Sequence, residues 1–326
     1  MPSANVTWPT PLTRWPTLWP GQPGVPGTDN DRGERMHCTG EVFYVDPNFP
    51  GVSDQRDGTS PLDPLQTVAT ALTKVQPQRG DVIAVMANDY WYYSAGGQGV
   101  STDYVTPISE EIVIPYTASG VRIVGLSNSP LGVMWQPASN GGICITNHAI
   151  DVIIEGFVFT EGDYTGCDAI YCEWDGTTLF GENMTVRHCV FDDTVDTAIQ
   201  IEYSWYCDIH DNVFWECDEY GIYVDPAGSG AIYNLIHHNR FHNCATAAIS
   251  MANTDCDDNH IYENAIYGNA AGTNNFINLT GGAANLVDHN TLACSIAQYD
   301  VTCSDATSGA WIQNFCINGP TTANPI

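Results

Sequence analysis

Hydrophobic and polar positions in the second half of the chain follow one repeated pattern. Segments such as "DIHDNVF" and "LIHHNRF" place an Asn three residues after an Ile and a Phe two residues after that Asn. Repeats of about 20 to 50 residues indicate a solenoid, and alternating apolar positions indicate strands. The pattern therefore predicts an all-β parallel β-helix in which each repeat is one coil. The Asn or small position recurs every 23 to 33 residues, at Gly125, Gly156, Cys189, Asn212, Asn239, Asn264, Asn290 and Asn314.

A second apolar segment follows each Asn or small position about ten residues later, as in "AIYCE", "AIQIE" and "GIYVD". Successive coils should stack at about 4.8 Å, the spacing of neighbouring strands. The asparagines then form a ladder in which each side-chain amide bonds to the next at a tight turn. Asn also tolerates the left-handed backbone that such a corner needs. The predicted ladder residues are Asn212, Asn239, Asn264, Asn290 and Asn314.

Two cysteines occupy the same position in adjacent coils, since Cys217 and Cys244 each follow a ladder asparagine by five residues. One coil spacing of about 4.8 Å lies within the Cα separation of a disulfide, so the two could be bonded. A column of small buried thiols is the alternative.

Motifs near the start of the repeats add a resemblance. Strands are predicted over Val42–Val45 and Asp81–Met86, with a helix from about Leu65 to Val75 between them. The motif residues are Tyr44 to Pro47, Ser53, Asp54, Asp57 to Pro61, Pro64 and Gly80 to Ile83. This stretch resembles the opening of pectin-lyase-like proteins, although Asn88 stands where that family usually has glycine. The resemblance implies a right-handed parallel β-helix with a capping helix, in a family whose functions are mixed.

The first 40 residues differ from the rest in composition. Seven prolines fix the backbone and remove hydrogen-bond donors, which predicts an extended arm. Trp8, Trp15 and Trp19 are interleaved with the prolines and need a surface to pack on. The predicted organisation is an arm over residues 1–40, the start of the β-helix with its capping helix over 41–120, and β-helix coils over 121–326.

Charge excludes several classes of partner. The chain has 38 Asp and Glu against 9 Lys and Arg, a formal net charge of −29. Such a surface repels phosphate backbones and anionic lipid, so we expect neither nucleic-acid nor membrane binding. The cysteines show no CxxC pair, which argues against zinc. No cofactor is expected, and Ca²⁺ held by stacked carboxylates is the alternative.

One column of acids could carry chemistry. Glu173, Glu202 and Asp225 each follow an equivalent isoleucine by three residues, so adjacent members should lie about 4.8 Å apart. Two carboxylates flanking a glycosidic bond perform glycoside hydrolysis, which makes these the candidate catalytic residues. A polar, solvated face is the alternative. Aromatic rings nearby are suited to carbohydrate binding: Tyr171, Trp174, Tyr203, Trp205 and Tyr223.

These observations favour a binding or structural role over catalysis. The N-terminus lacks the basic and apolar regions of a signal peptide. We therefore expect a virion protein of the phage tail spike, fibre or capsid decoration type, homotrimeric like related spikes. The arm would contact other virion proteins and the body could bind a cell-surface glycan. The alternative is a secreted, extracellular glycoside hydrolase; a polysaccharide lyase is less favoured, since only Arg187 and Arg240 are basic after residue 122.

Overall fold

The protein is a stack of coils, each made of short parallel strands. The computed structural model describes residues 40–86, 107–126, 133–162, 164–174, 181–192, 196–224, 230–251, 253–268, 275–279, 284–294, 302–305 and 310–317. Within these ranges the strands form three sheets, and every strand pair is parallel. A typical coil contributes one strand to each sheet, so the all-β parallel β-helix expected from the repeats is confirmed.

The strands and the α-helix of these ranges are numbered along the chain. The first sheet contains β1 (Val42–Val45), β2 (Val82–Met86), β5 (Arg122–Leu126), β8 (Ile153–Glu155), β11 (Thr185–Arg187), β14 (Asp208–His210), β17 (Leu235–His237), β20 (His260–Tyr262), β23 (Leu286–Asp288) and β26 (Ala310–Ile312). The second contains β4 (Ile112–Ile114), β7 (Ile143–Asn147), β10 (Asp168–Cys172), β13 (Thr197–Ile201), β16 (Tyr220–Val224), β19 (Ala247–Met251), β22 (Asn275–Leu279) and β25 (Thr302–Asp305). The third contains β3 (Ile108–Ser109), β6 (Val133–Gln136), β9 (Phe157–Phe159), β12 (Val190–Asp192), β15 (Val213–Trp215), β18 (Arg240–His242), β21 (Ala265–Gly268), β24 (Thr291–Cys294) and β27 (Phe315–Ile317).

The repeated segment that the sequence pattern suggested as one strand is two strands joined by a corner. In the segment ending at Phe214, β14 precedes Asn212 and β15 follows it. From Cys189 onward, the residue before each corner position has a positive φ, for example +56° at Asp211 and +55° at His238. This left-handed residue turns the chain from the first sheet to the third.

The core lies between the three sheets and is filled by identical residues stacked coil on coil. The central residue of most first-sheet strands is a buried Ile or Val, as at Ile209 and Ile236. Aromatic rings from the third sheet stack face to face: Phe191 lies 4.7 Å from Phe214, and Phe214 lies 4.4 Å from Phe241, between ring centroids. Neighbouring coils therefore bury one another, and stability is built up from contacts between adjacent repeats.

Asparagine side chains bond from coil to coil at the corner. The amide of Asn212 donates to the Oδ1 of Asn239 at 3.0 Å, and that of Asn239 donates to the Oδ1 of Asn264 at 3.1 Å. Asn264 continues to Asn290, and Asn290 to Asn314, both at 3.0 Å. Each amide also donates to a backbone carbonyl of the preceding coil, as Asn239 does to Ile209 at 2.8 Å. The ladder therefore satisfies polar groups that the corner buries.

A second asparagine ladder lies where the chain enters the first sheet. Asn234 donates to Asn259 at 3.0 Å, and Asn259 donates to Asn285 at 3.2 Å. Sequence reasoning missed this ladder. Its signal is nevertheless present, because each member precedes an asparagine of the first ladder by five residues.

The capping helix is shorter than its sequence suggested. It is α1 (Val68–Leu72) and not a helix from Leu65 to Val75. Leu65 cannot begin a helix because its backbone bonds to β1, donating to the Tyr44 carbonyl and accepting from Asp46. The carboxylate of Glu110 accepts the backbone N–H of Val68, which attaches the start of the helix to the β-helix.

The cysteine pair is present as thiols and is not joined in a disulfide. Cys217 and Cys244 are both buried, and a hydrogen bond between the two side chains raises the pKa of the Cys244 thiol well above its usual range.

Candidate functional site

Glu173 and Glu202 occupy the same position in successive coils. The register pairs Ile170 with Ile199 and Cys172 with Ile201. Beyond these strands the pattern continues, because the Glu202 backbone N–H donates to the Cys172 carbonyl at 2.7 Å. The two glutamates therefore lie just past the carboxyl ends of β10 and β13 in the second sheet, one above the other.

Each glutamate has a specific polar partner. The hydroxyl of Tyr171, which points out from β10, donates to the Oε2 of Glu202. The Oε1 of Glu173 lies 3.0 Å from the Nε2 of His148, one coil earlier. Burial raises the pKa of the Tyr171 hydroxyl well above its usual range, and the bonds to Glu202 and Glu173 raise it further. Tyr171 therefore remains a protonated donor that links the two carboxylates.

An aromatic residue directly follows each glutamate along the chain. The ring centroids of these two residues, Trp174 and Tyr203, are 5.4 Å apart. Tyr203 has a φ of +52°, which is uncommon for a bulky residue and stores backbone strain. It does not belong to the corner columns in which left-handed residues recur from coil to coil. Backbone strain that is not part of the repeated fold, at a residue directly after an acid, indicates a functional site.

The other aromatic residues named from the sequence lie farther from the glutamates. The indole of Trp205 donates to the Gly230 carbonyl at 3.0 Å, so this ring braces the next coil. Tyr223 is two coils from Tyr171, with Gln200 between them in the same outward column. Asp225, Trp8, Trp15 and Trp19 lie outside the described residues.

His148 is the site residue that sequence reasoning missed. It precedes Glu173 by 25 residues, which is one coil. Its coil comes directly before the first coil in which an acid follows an Ile by three residues. Extending that column backwards by one repeat would have found it. We define the acid–aromatic site as His148, Tyr171, Glu173, Trp174, Glu202 and Tyr203.

The basic residues lie elsewhere. Arg187 is buried on the first sheet, where its Nε lies 2.9 Å from Glu155, and Arg240 is exposed on the third sheet. Among the described residues, no group of three or more His, Cys, Asp or Glu side chains is placed to hold a metal ion. Nor does any helix in these ranges have the length and apolarity to cross a membrane.

Comparison with known proteins places the chain in a family. A family model described as "Right handed beta helix region" matches residues 120–292, which is more than half of the chain. The chain belongs to the right-handed β-helix family. This match confirms the resemblance to pectin-lyase-like proteins and the expected handedness of the coil. A comparison with curated proteins found no match.

Solved structures similar to this β-helix protein differ widely in what they do. XylC in complex with xylose has a TM-score of 0.54 at 12% identity, over 84% of this chain and 69% of that chain. A tailspike domain of bacteriophage CBA120 has a TM-score of 0.53 at 10% identity, over 89% of this chain and 44% of that chain. An alginate lyase from Paenibacillus sp. str. FPU-7 has 0.52 at 10%, over 77% and 93%. At these identities the likeness shows the fold alone.

A half-buried acid at the start of a second-sheet strand gives this β-helix protein a pH dependence. The Asp168 carboxylate begins β10 and accepts the Thr197 N–H at 2.9 Å. Burial raises its pKa to about 6, and the Asp196 and Glu219 charges add to the shift. A folded-state pKa above the unfolded value of 3.8 means that the folded chain binds this proton more tightly. Its contribution to stability is complete below pH 3.8 and is lost as pH rises through about 6.

We expect Asp168→Asn to raise the free energy of unfolding at pH 7.5 by about 1 to 2 kcal/mol, because the amide keeps the Thr197 bond without a charge. The gain should disappear below about pH 4, where Asp168 is neutral in both states. Urea unfolding of both proteins at several pH values measures the difference. A gain that is independent of pH would contradict the assignment.

Proposed function

We propose that this β-helix protein binds a neutral glycan at the acid–aromatic site and serves as a host-surface-binding component of a virion. The observation that carries the proposal is the pairing of two half-exposed carboxylates, on Glu173 and Glu202, with the rings of Trp174 and Tyr203. Carboxylates accept hydrogen bonds from sugar hydroxyls, and aromatic rings pack against the apolar faces of sugars.

Charge favours a neutral ligand over an acidic one. The chain carries a net charge of −29, which repels uronates and other anionic sugars. Both basic residues after residue 122 lie away from the site, one buried beside Glu155 and one on the third sheet. A lyase that must neutralise a uronate carboxylate is therefore disfavoured.

Two of the similar structures support the choice of ligand and setting. One is a complex with xylose, and the other is a phage tailspike domain. We propose that the molecule is a homotrimer in the virion and that the arm over residues 1–40 attaches it to other virion proteins.

The test is a screen of the full chain against immobilised bacterial surface polysaccharides, followed by calorimetry with the best neutral oligosaccharide. We expect Glu202→Gln to weaken binding about 10- to 100-fold, the effect of losing a hydrogen bond to a charged group. Glu219→Gln is the matched control, because it is an exposed glutamate beside the opposite end of the second sheet. Equal affinity of the two variants, or binding of acidic polysaccharides alone, would reject the site.

Hydrolysis is the second candidate, since the two carboxylates have different partners. Glu202 accepts from Tyr171 and Glu173 pairs with His148, and two differently held carboxylates can act as acid and base. Release of reducing sugar from the bound polysaccharide identifies this activity. A loss of release in Glu202→Gln that exceeds its loss of binding would make the protein a glycoside hydrolase.

A further inference from the structure

Two consecutive histidines at one corner face each other. His237 ends β17 and His238 forms the left-handed corner that follows it. Their Nδ1 atoms are 2.6 Å apart. This contact lies on the first sheet and shares no residue with the acid–aromatic site.

The other nitrogen of each ring lies next to a carboxylate. The Nε2 of His237 is 2.9 Å from Asp208, and the Nε2 of His238 is 2.6 Å from Glu263. An ionised carboxylate only accepts hydrogen bonds, so each Nε2 must carry the hydrogen. With both rings neutral, each Nδ1 is then a hydrogen-bond acceptor, and the two acceptors lie 2.6 Å apart.

Two acceptors at this distance repel each other, and a cation between them removes the repulsion: either a proton, which makes one ring an imidazolium that donates to the other, or a metal ion. Histidines that bind metals almost always donate their other N–H to a carboxylate or carbonyl, which is the arrangement of both rings here. We propose that His237 and His238 bind a divalent transition-metal ion of the imidazole-preferring class, such as Cu²⁺, Ni²⁺ or Zn²⁺. Since no described group supplies three or more converging ligands, water would complete the coordination.

The surroundings hold one ligand firmly and leave the other accessible. The His237 ring is stacked between His210, at 5.0 Å, and Tyr262, at 4.6 Å, and is almost completely buried. The side chain of His238 is 37% exposed, which gives an ion a path to the site. Two nitrogens bound to a tetrahedral zinc ion at about 2.0 to 2.1 Å stand roughly 3.3 Å apart, so the two Nδ1 atoms must separate by about 0.7 Å, which rotation of the exposed His238 allows. The net charge of −29 also concentrates cations at the surface.

The test is titration of the full chain with Cu²⁺, followed by calorimetry and by electron paramagnetic resonance. We expect one site with a spectrum split by two nitrogens. His238→Asn should weaken Cu²⁺ binding at least about tenfold, and Asn accepts the φ of +55° at this position. His289→Asn is the matched control: it is an exposed corner histidine with a φ of +54°, two coils away.

A second variant changes the carboxylate next to His238 and leaves both histidines in place. Glu263→Gln should weaken Cu²⁺ binding about 10- to 100-fold, the usual effect of losing such a partner. Unchanged binding in His238→Asn would overturn the proposal, and so would an equal loss in His289→Asn or a spectrum without two-nitrogen splitting. Thermal unfolding of each variant separates these results from misfolding.

Discussion

Glu155→Gln should destabilise the protein by about 3 to 5 kcal/mol, the usual effect of breaking a buried ion pair by removing one partner. Glu155 is 2% exposed and forms ion pairs with Arg122 and Arg187, which come from the coils on either side of it. The substitution leaves two buried guanidinium groups without the carboxylate between them. Urea unfolding followed by circular dichroism measures the loss.

Two further variants test whether the loss of stability comes from the buried charges. Glu219→Gln makes the same chemical change at an exposed position and should alter stability by less than about 0.5 kcal/mol. Replacing all three residues with apolar ones, as Arg122→Met, Glu155→Leu and Arg187→Met, should restore most of the loss, because the buried charges are then removed together. A loss below about 1 kcal/mol in Glu155→Gln would show that the charges are not buried as the structure has them.

Asn239→Ala should destabilise the protein by about 3 kcal/mol, since each buried polar group left unsatisfied costs about 1 to 3 kcal/mol. The Oδ1 of Asn239 accepts from both the backbone N–H and the side-chain amide of Asn212, at 3.0 Å each. Its amide donates to the Ile209 carbonyl and to Asn264. Alanine removes these bonds at the interfaces with both neighbouring coils.

Chemical denaturation of Asn239→Ala and of Asn278→Ala compares a ladder residue with a half-exposed asparagine on the outer face of the second sheet. We expect a change below about 1 kcal/mol for Asn278→Ala. Because a solenoid is stabilised by contacts between neighbouring coils, a break in the middle should also lower the cooperativity of unfolding. Equal losses in the two variants would mean that the ladder has no special role.

The repeat period was readable from the sequence because stacked coils place the same chemistry at the same position. Ile209 and Ile236 fill the core, and Asn212 and Asn239 fill the corner, in coils that have nearly identical environments. The pattern therefore predicted the parallel coil and the column that holds Glu173 and Glu202. Residues that are one repeat apart share a column, because the strands of neighbouring coils pair with an offset of one repeat.

Contacts within a column were not readable, because they depend on where each side chain points. The sequence marks Tyr171 as a carbohydrate-binding ring, whereas the structure has its hydroxyl donating to Glu202. Trp205 was grouped with the same rings, but its indole bonds to Gly230 in the next coil. Periodicity assigns a residue to a coil and a face, and the rotamer decides its partner.

The sequence by itself determined the all-β solenoid, the period of its coils and the columns of asparagines and acids, because these follow from spacing alone. Only the tertiary structure decided the buried charges and the histidine contact. Arg122, Glu155 and Arg187 are separated by more than 30 residues at each step, and no pattern joins them before the coils stack. The 2.6 Å approach of His237 and His238 likewise depends on a left-handed corner that turns one ring toward the other.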